Sequence, residues 1–151
     1  MAKGRYRRFN PKTDPWMGGH LQAYIQANFN ALAAVLGRPM PSETDGGEKI
    51  TTAWRIVDDE DFVQRQFTVY DYDWDDRGPG DPRTVREFRA LPTYLWHIGG
   101  DSDATKFGYW LAKATGGRFV SHEEHMKAMR ARIDAMHKAR AGRTAGAKGK
   151  R

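Results

Sequence analysis

The chain has 151 residues, 25 Lys and Arg against 19 Asp and Glu, five Trp and no Cys. One domain of ordinary core size fits that length, and so many aromatic rings argue for a packed body rather than a disordered chain. Without Cys there are no disulfides, thiolate zinc sites or cysteine nucleophiles. No apolar run approaches the roughly 18 residues of a membrane span, and the basic N-terminus lacks a signal peptide's apolar segment. A cytoplasmic setting without a membrane partner is expected.

The charge is unevenly placed. Residues 1–12 carry five basic side chains and no acid, residues 127–151 carry nine basic side chains and one acid, and the stretch between them has a balance of −7. An acidic body with two basic ends points to a polyanionic partner, because each neutralised phosphate releases a condensed counterion.

In chain order, residues 1–19 read as an extended basic arm, punctuated by Asn10-Pro11, Asp14-Pro15 and Gly18-Gly19. Within it Arg5-Tyr6-Arg7-Arg8-Phe9 interleaves cations with rings, a mixture suited to phosphate contact and base stacking. His20 to Leu36 reads as one helix, since Leu21, Ile25, Leu32 and Val35 recur at helical spacing and Gly37 and Pro39 follow. Lys49–Val57 and Val63–Trp74 read as an antiparallel hairpin around an acidic turn at Asp58–Asp61. Trp54 and Ile56 point one way, and Phe67 and Val69 share a face opposite Tyr70 and Tyr72. A Gly/Pro loop over Arg77–Pro82 and a helical turn over Thr84–Ala90 precede a third strand, Thr93–Ile98, which Gly99-Gly100 ends.

Asp101 or Ser102 then caps a helix to Thr115, stopped by Gly116-Gly117. Ser121 and Glu124 form a capping box for a last helix with a narrow stripe of Met126, Met129, Ile133 and Met136. From Gly142 the composition is that of a disordered basic tail. The fold class is α+β: a small, mostly antiparallel sheet packed by helices over residues 20–140, with basic tails at 1–19 and 141–151.

The phosphate-binding candidates are Lys3, Arg5, Arg7 and Arg8 at one end and Lys138, Arg140, Arg143, Lys148, Lys150 and Arg151 at the other, all suited to backbone contact with DNA or RNA rather than base readout. Asp71, Asp73 and Asp75 match the opening of a calcium loop, but Asp76 and Pro82 occupy the positions of its Gly and bidentate Glu. A divalent site at Asp71 and Asp73 would imply a nuclease. His122-Glu123-Glu124-His125 lacks the zinc-protease spacing, and the capping box accounts for Glu124. Gly99-Gly100 before a helix offers amide groups to an anion, although Asp101 and Asp103 would repel phosphate. No spacing marks a catalytic residue, and no cofactor is expected.

The succession Leu36-Gly37-Arg38-Pro39, Trp54-Arg55-Ile56, Phe67-Thr68-Val69-Tyr70-Asp71-Tyr72 and Trp96-His97-Ile98-Gly99-Gly100 resembles small proteins of tailed bacteriophages over about residues 30–105. The resemblance implies a phage origin and a host-cytoplasm setting and carries no catalytic residue. The leading expectation is a non-enzymatic, nucleic-acid-associated protein. The alternatives are a modulator that binds a host protein through an aromatic sheet face, and a small-molecule or nucleotide binder at the Gly99-Gly100 turn.

Overall fold

The computed structural model describes residues 5–16, 18–40, 52–59, 64–71 and 85–148. They form two compact units that meet in sequence at Val120 and Ser121. The first is an α+β body, in which six strands lie in the order β1-β3-β4-β5-β2-β6. These are β1 (Tyr6–Arg8), β2 (His20–Ala27), β3 (Ala53–Asp58), β4 (Arg65–Tyr70), β5 (Tyr94–Gly100) and β6 (Arg118–Ser121). The helices of this body are α1 (Phe29–Leu36), α2 (Val85–Arg89) and α3 (Thr105–Thr115). The pairings β1–β3, β3–β4, β4–β5 and β5–β2 are all antiparallel. The second unit is a single long helix, α4 (His122–Lys148).

Alternation in the strands builds the core. Ile25, Ala27, Trp54, Ile56, Phe67, Val69, Trp96 and Ile98 are buried in one cluster with Leu32 and Leu36 of α1, Phe88 of α2, and Phe107 and Leu111 of α3. Trp54 and Trp96 stand at its centre, each 1% exposed, with ring centroids 5.5 Å apart in an edge-to-face contact. Each indole N–H finds a backbone carbonyl: Trp54 Nε1 donates to Gly37 O at 2.8 Å and Trp96 Nε1 to Ala27 O at 3.0 Å. A buried Trp without such a bond would leave a polar group unsatisfied, so these contacts fix ring orientation as well as filling space.

The hairpin, the helical turn before Pro92 and the glycine stop at Gly116 follow the sequence expectation. The first helix does not. His20–Ala27 is a strand bonded to β5 along its length, and only Phe29–Leu36 is helical. Asn28 divides them: its backbone is extended, and its Oδ1 accepts from Ala31 N at 2.7 Å, an N-cap. The apparent helical period runs across this junction.

Gly99 and Gly100 are also strand rather than turn. Gly99 pairs with Leu21 and Thr68, and Gly100 with His20 and Phe67. A Cβ at Gly100 would lie 2.8 Å from Phe67 Cδ1 and 2.9 Å from Gln66 O, so close approach within the sheet requires glycine there. With no turn at this point, the anion-binding reading loses its geometry. The following helix begins at Thr105, later than expected, with Asp103 Oδ1 accepting from Thr105 N at 2.9 Å.

Replacing Trp54 or Trp96 with Ala should lower unfolding free energy by about 3–5 kcal/mol, because each leaves a large cavity. Gly100→Ala should also destabilise the sheet. Urea unfolding of the three variants checks both statements, and an unchanged midpoint for Gly100→Ala would count against the paired strand.

Candidate nucleic-acid interface

The two basic ends have different surroundings. At the first end, Tyr6–Arg8 are the edge strand β1, and Tyr6 is buried against Phe107 and Trp110 at centroid distances of 5.2 and 4.5 Å. Arg5 forks onto Asp58, with Nε and NH2 donating to its two carboxylate oxygens at 2.9 Å each. Asp58 is 1% exposed. A carboxylate taken out of water needs a paired cation, and a two-pronged guanidinium supplies both charge and geometry.

Arg7 makes a second fork, onto Asp14, through NH1 at 2.7 Å and NH2 at 2.8 Å, and also bonds Asp59 through Nε. Asp14 closes its own loop by accepting from Asn10 N at 2.7 Å. These bonds hold the Asp14 carboxyl down at about 2, the Arg7 hydrogen bonds being the largest cause and the Asn10 amide the next. Arg7 is driven above the ordinary guanidinium value by Asp14 first and Asp59 second, so it stays charged throughout the working pH range.

Arg8 is exposed and donates through NH2 to the carbonyl of Arg38. Arg55, reaching from β3, lays its guanidinium 4.0 Å over the Trp16 ring and 5.8 Å from the Phe9 ring. Sequence reading missed Arg55, which has apolar Trp54 and Ile56 on either side in β3. The alternation of β1 with its partner strand is the signal that could have found it. Lys3 lies outside the described residues.

At the second end, Lys138, Arg140 and Arg143 sit exposed on α4, together with Lys127, Arg130 and Arg132. Among the described residues none of these six has a carboxylate within ion-pair distance. The helix starts as the capping box anticipates, with Ser121 Oγ accepting from Glu124 N at 3.0 Å. Glu123 and Glu124 fall in its first turn, where the macrodipole favours acids. It continues through Gly142 and Gly146 to Lys148, beyond the point where composition suggests a tail begins. Ala, Arg and Lys around the glycines favour helix, against a cost of about 1 kcal/mol for each Gly. Lys148 belongs to the helix, and Lys150 and Arg151 lie outside the described residues. The stripe of Met129, Ile133 and Met136 is exposed.

The metal candidates do not converge. Asp71 is buried and latches the hairpin, its Oδ1 accepting from Thr52 N at 2.9 Å and its own amide donating to Thr52 O at 3.2 Å. Asp73 and Asp75 lie outside the described residues, and among those described no three His, Asp or Glu side chains gather as ligands. Nor are Trp54 and Trp96 available as an outer aromatic face, since both are buried. Among the described residues, no helix is long and apolar enough to cross a membrane. The chain matches no protein-family model, no curated protein and no solved structure.

Arg5→Ala takes the two-pronged guanidinium away from the buried Asp58 carboxylate and should cost up to about 3–5 kcal/mol of stability in denaturant unfolding. Asp14 adds a pH signature. Its carboxyl is lower in the folded than in the unfolded chain, so its contribution is present above about pH 4 and lost as pH falls through about 2. The acid-unfolding curve of Asp14→Asn should therefore be flatter than wild type across that window.

Proposed function

We propose that this is a non-enzymatic nucleic-acid-associated protein, phage-encoded and working in the host cytoplasm, which grips phosphates through α4 and the basic residues beyond it. The observation that carries this reading is the exposure of Lys127, Arg130, Arg132, Lys138, Arg140 and Arg143 along one helix, without carboxylate partners among the described residues. Cations already held by carboxylates gain little from a phosphate, since they must first give up an ion pair. Cations facing water release counterions when they meet a polyanion. Arg5 and Arg7 belong to the first class and the α4 set to the second.

The helix is suited to backbone contact. Its basic residues are spread around the helix rather than gathered on one face, and α4 is about 40 Å long at 1.5 Å per residue. A rod carrying charge on all sides can lie along a phosphate backbone without reading bases. Arg8, Lys148, Lys150 and Arg151 add to the same electrostatic term.

Fluorescence anisotropy against duplex DNA and single-stranded RNA at several salt concentrations tests the proposal. Lys138→Gln, Arg140→Gln and Arg143→Gln combined should reduce the slope of log K against log salt by about 3 on duplex DNA. Removing residues 142–151 takes away Arg143, Lys148, Lys150 and Arg151 and should reduce it by up to about 4. Both variants should melt as wild type does. An unchanged slope in both would remove α4 from the interface.

A further inference from the structure

Beside β1 there is a cavity of about 180 Å³, lined by Arg8, Phe9, Pro11, Met40, Trp54 and Arg55. We infer that it takes one unpaired nucleobase, with the adjoining phosphate held between Arg8 and Arg55. The inference rests on the nucleic-acid reading and extends it from phosphate contact on α4 to capture of a single base on the body.

Size comes first. Pockets for drug-sized ligands span about 300–1,000 Å³, so this cavity admits a fragment such as one ring system. Its chemistry comes second. Phe9, Pro11 and Met40 give it apolar walls, and Trp54, 1% exposed with its Nε1 engaged by Gly37 O, backs them from the core. A flat, weakly polar ring suits such walls, while a sugar or a bare ion does not.

Charge comes third. Of the four arginines at or next to β1, Arg5 and Arg7 are held by Asp58, Asp14 and Asp59. Arg8, like Arg55 from the neighbouring strand, lines the cavity, and neither has a carboxylate partner among the described residues. Two guanidinium groups beside an apolar slot match a base linked to a phosphate. Two of the lining residues, Phe9 and Arg55, also belong to a cluster of rings and guanidinium of the kind common in single-strand binding. The ring of Trp16, 45% exposed, carries the Arg55 guanidinium at 4.0 Å and meets Phe9 edge-on at 5.9 Å.

The geometry around Arg8 is set by the end of α1. Gly37 has φ of 87°, and a Cβ there would lie 2.9 Å from Arg8 NH1. A side chain at residue 37 would therefore displace Arg8 as well as strain the cap.

The test uses the full chain and adenosine 5′-monophosphate, followed by isothermal titration calorimetry. The wild type should bind with Kd below about 1 mM. Arg8→Gln should weaken binding about fivefold, the Arg8→Gln, Arg55→Gln pair at least about tenfold, and Phe9→Ala about fivefold. Inorganic phosphate should bind far more weakly than the nucleotide. The α4 triple variant should bind the nucleotide as wild type does, which separates this site from the helix. Arg8 is exposed, so Arg8→Gln alone decides the matter if the pair fails to fold.

No measurable nucleotide binding, equal binding of inorganic phosphate, or indifference to Arg8→Gln would overturn the pocket while leaving the α4 salt slope to stand or fall by itself. Loss of nucleotide binding in the α4 variant would likewise overturn it. Nucleotide binding with an unaltered α4 slope would retain the pocket and retire the helix.

Discussion

A buried carboxylate on β3 organises the N-terminal segment. Asp58 is almost wholly withdrawn from water, and a charge in that position is tolerated only with a cation in hydrogen-bond contact. Arg5 provides it with both prongs, Arg7 repeats the pattern on Asp14 and Asp59, and Tyr6 between them drives into the core against Phe107 and Trp110. Three consecutive residues thus alternate between ion pairing and burial, as strand geometry requires of an edge. The segment from Tyr6 to Arg8 is consequently part of the sheet.

That constraint gives the two basic ends different surroundings. Charge is equally visible at both in the sequence, but its availability depends on what lies next to it. Arg5 and Arg7 serve stability, and their acids cancel much of their outward field. Arg8 and Arg55, one strand apart, are left to border an apolar slot. The cations of α4 from Lys127 to Arg143 face solvent along about five turns of helix. A phosphate-binding protein with this distribution would draw affinity from the helix and any discrimination for unpaired bases from the body.

Much of the body was legible in the sequence. Trp54, Ile56, Phe67 and Val69 alternate cleanly enough to give the hairpin and its inner face, and Gly116 and Ser121 mark a helix stop and a helix start by local chemistry alone. Two elements were hidden by the same kind of error. Leu21, Ile25 and Leu32 share a helical period by accident, because a strand and a helix are joined through Asn28 without a glycine or proline to separate them. Gly99-Gly100 resembles a turn until Phe67 and Gln66 occupy the space a side chain would need. The ion pairs of Arg5 and Arg7 were hidden for another reason. Their partners Asp58 and Asp59 lie some fifty residues away, and composition counts charges without pairing them.

Backbone amide exchange, followed by mass spectrometry with and without a single-stranded oligonucleotide, tests this division most directly. Residues 5–8 should exchange slowly in the free protein, unaltered by the oligonucleotide, and new protection should appear within residues 121–148. Fast exchange over residues 5–8 in the free protein, slowed only when nucleic acid is added, would contradict it. The N-terminal arginines would then be the binding arm, and their carboxylate contacts too weak to hold the strand.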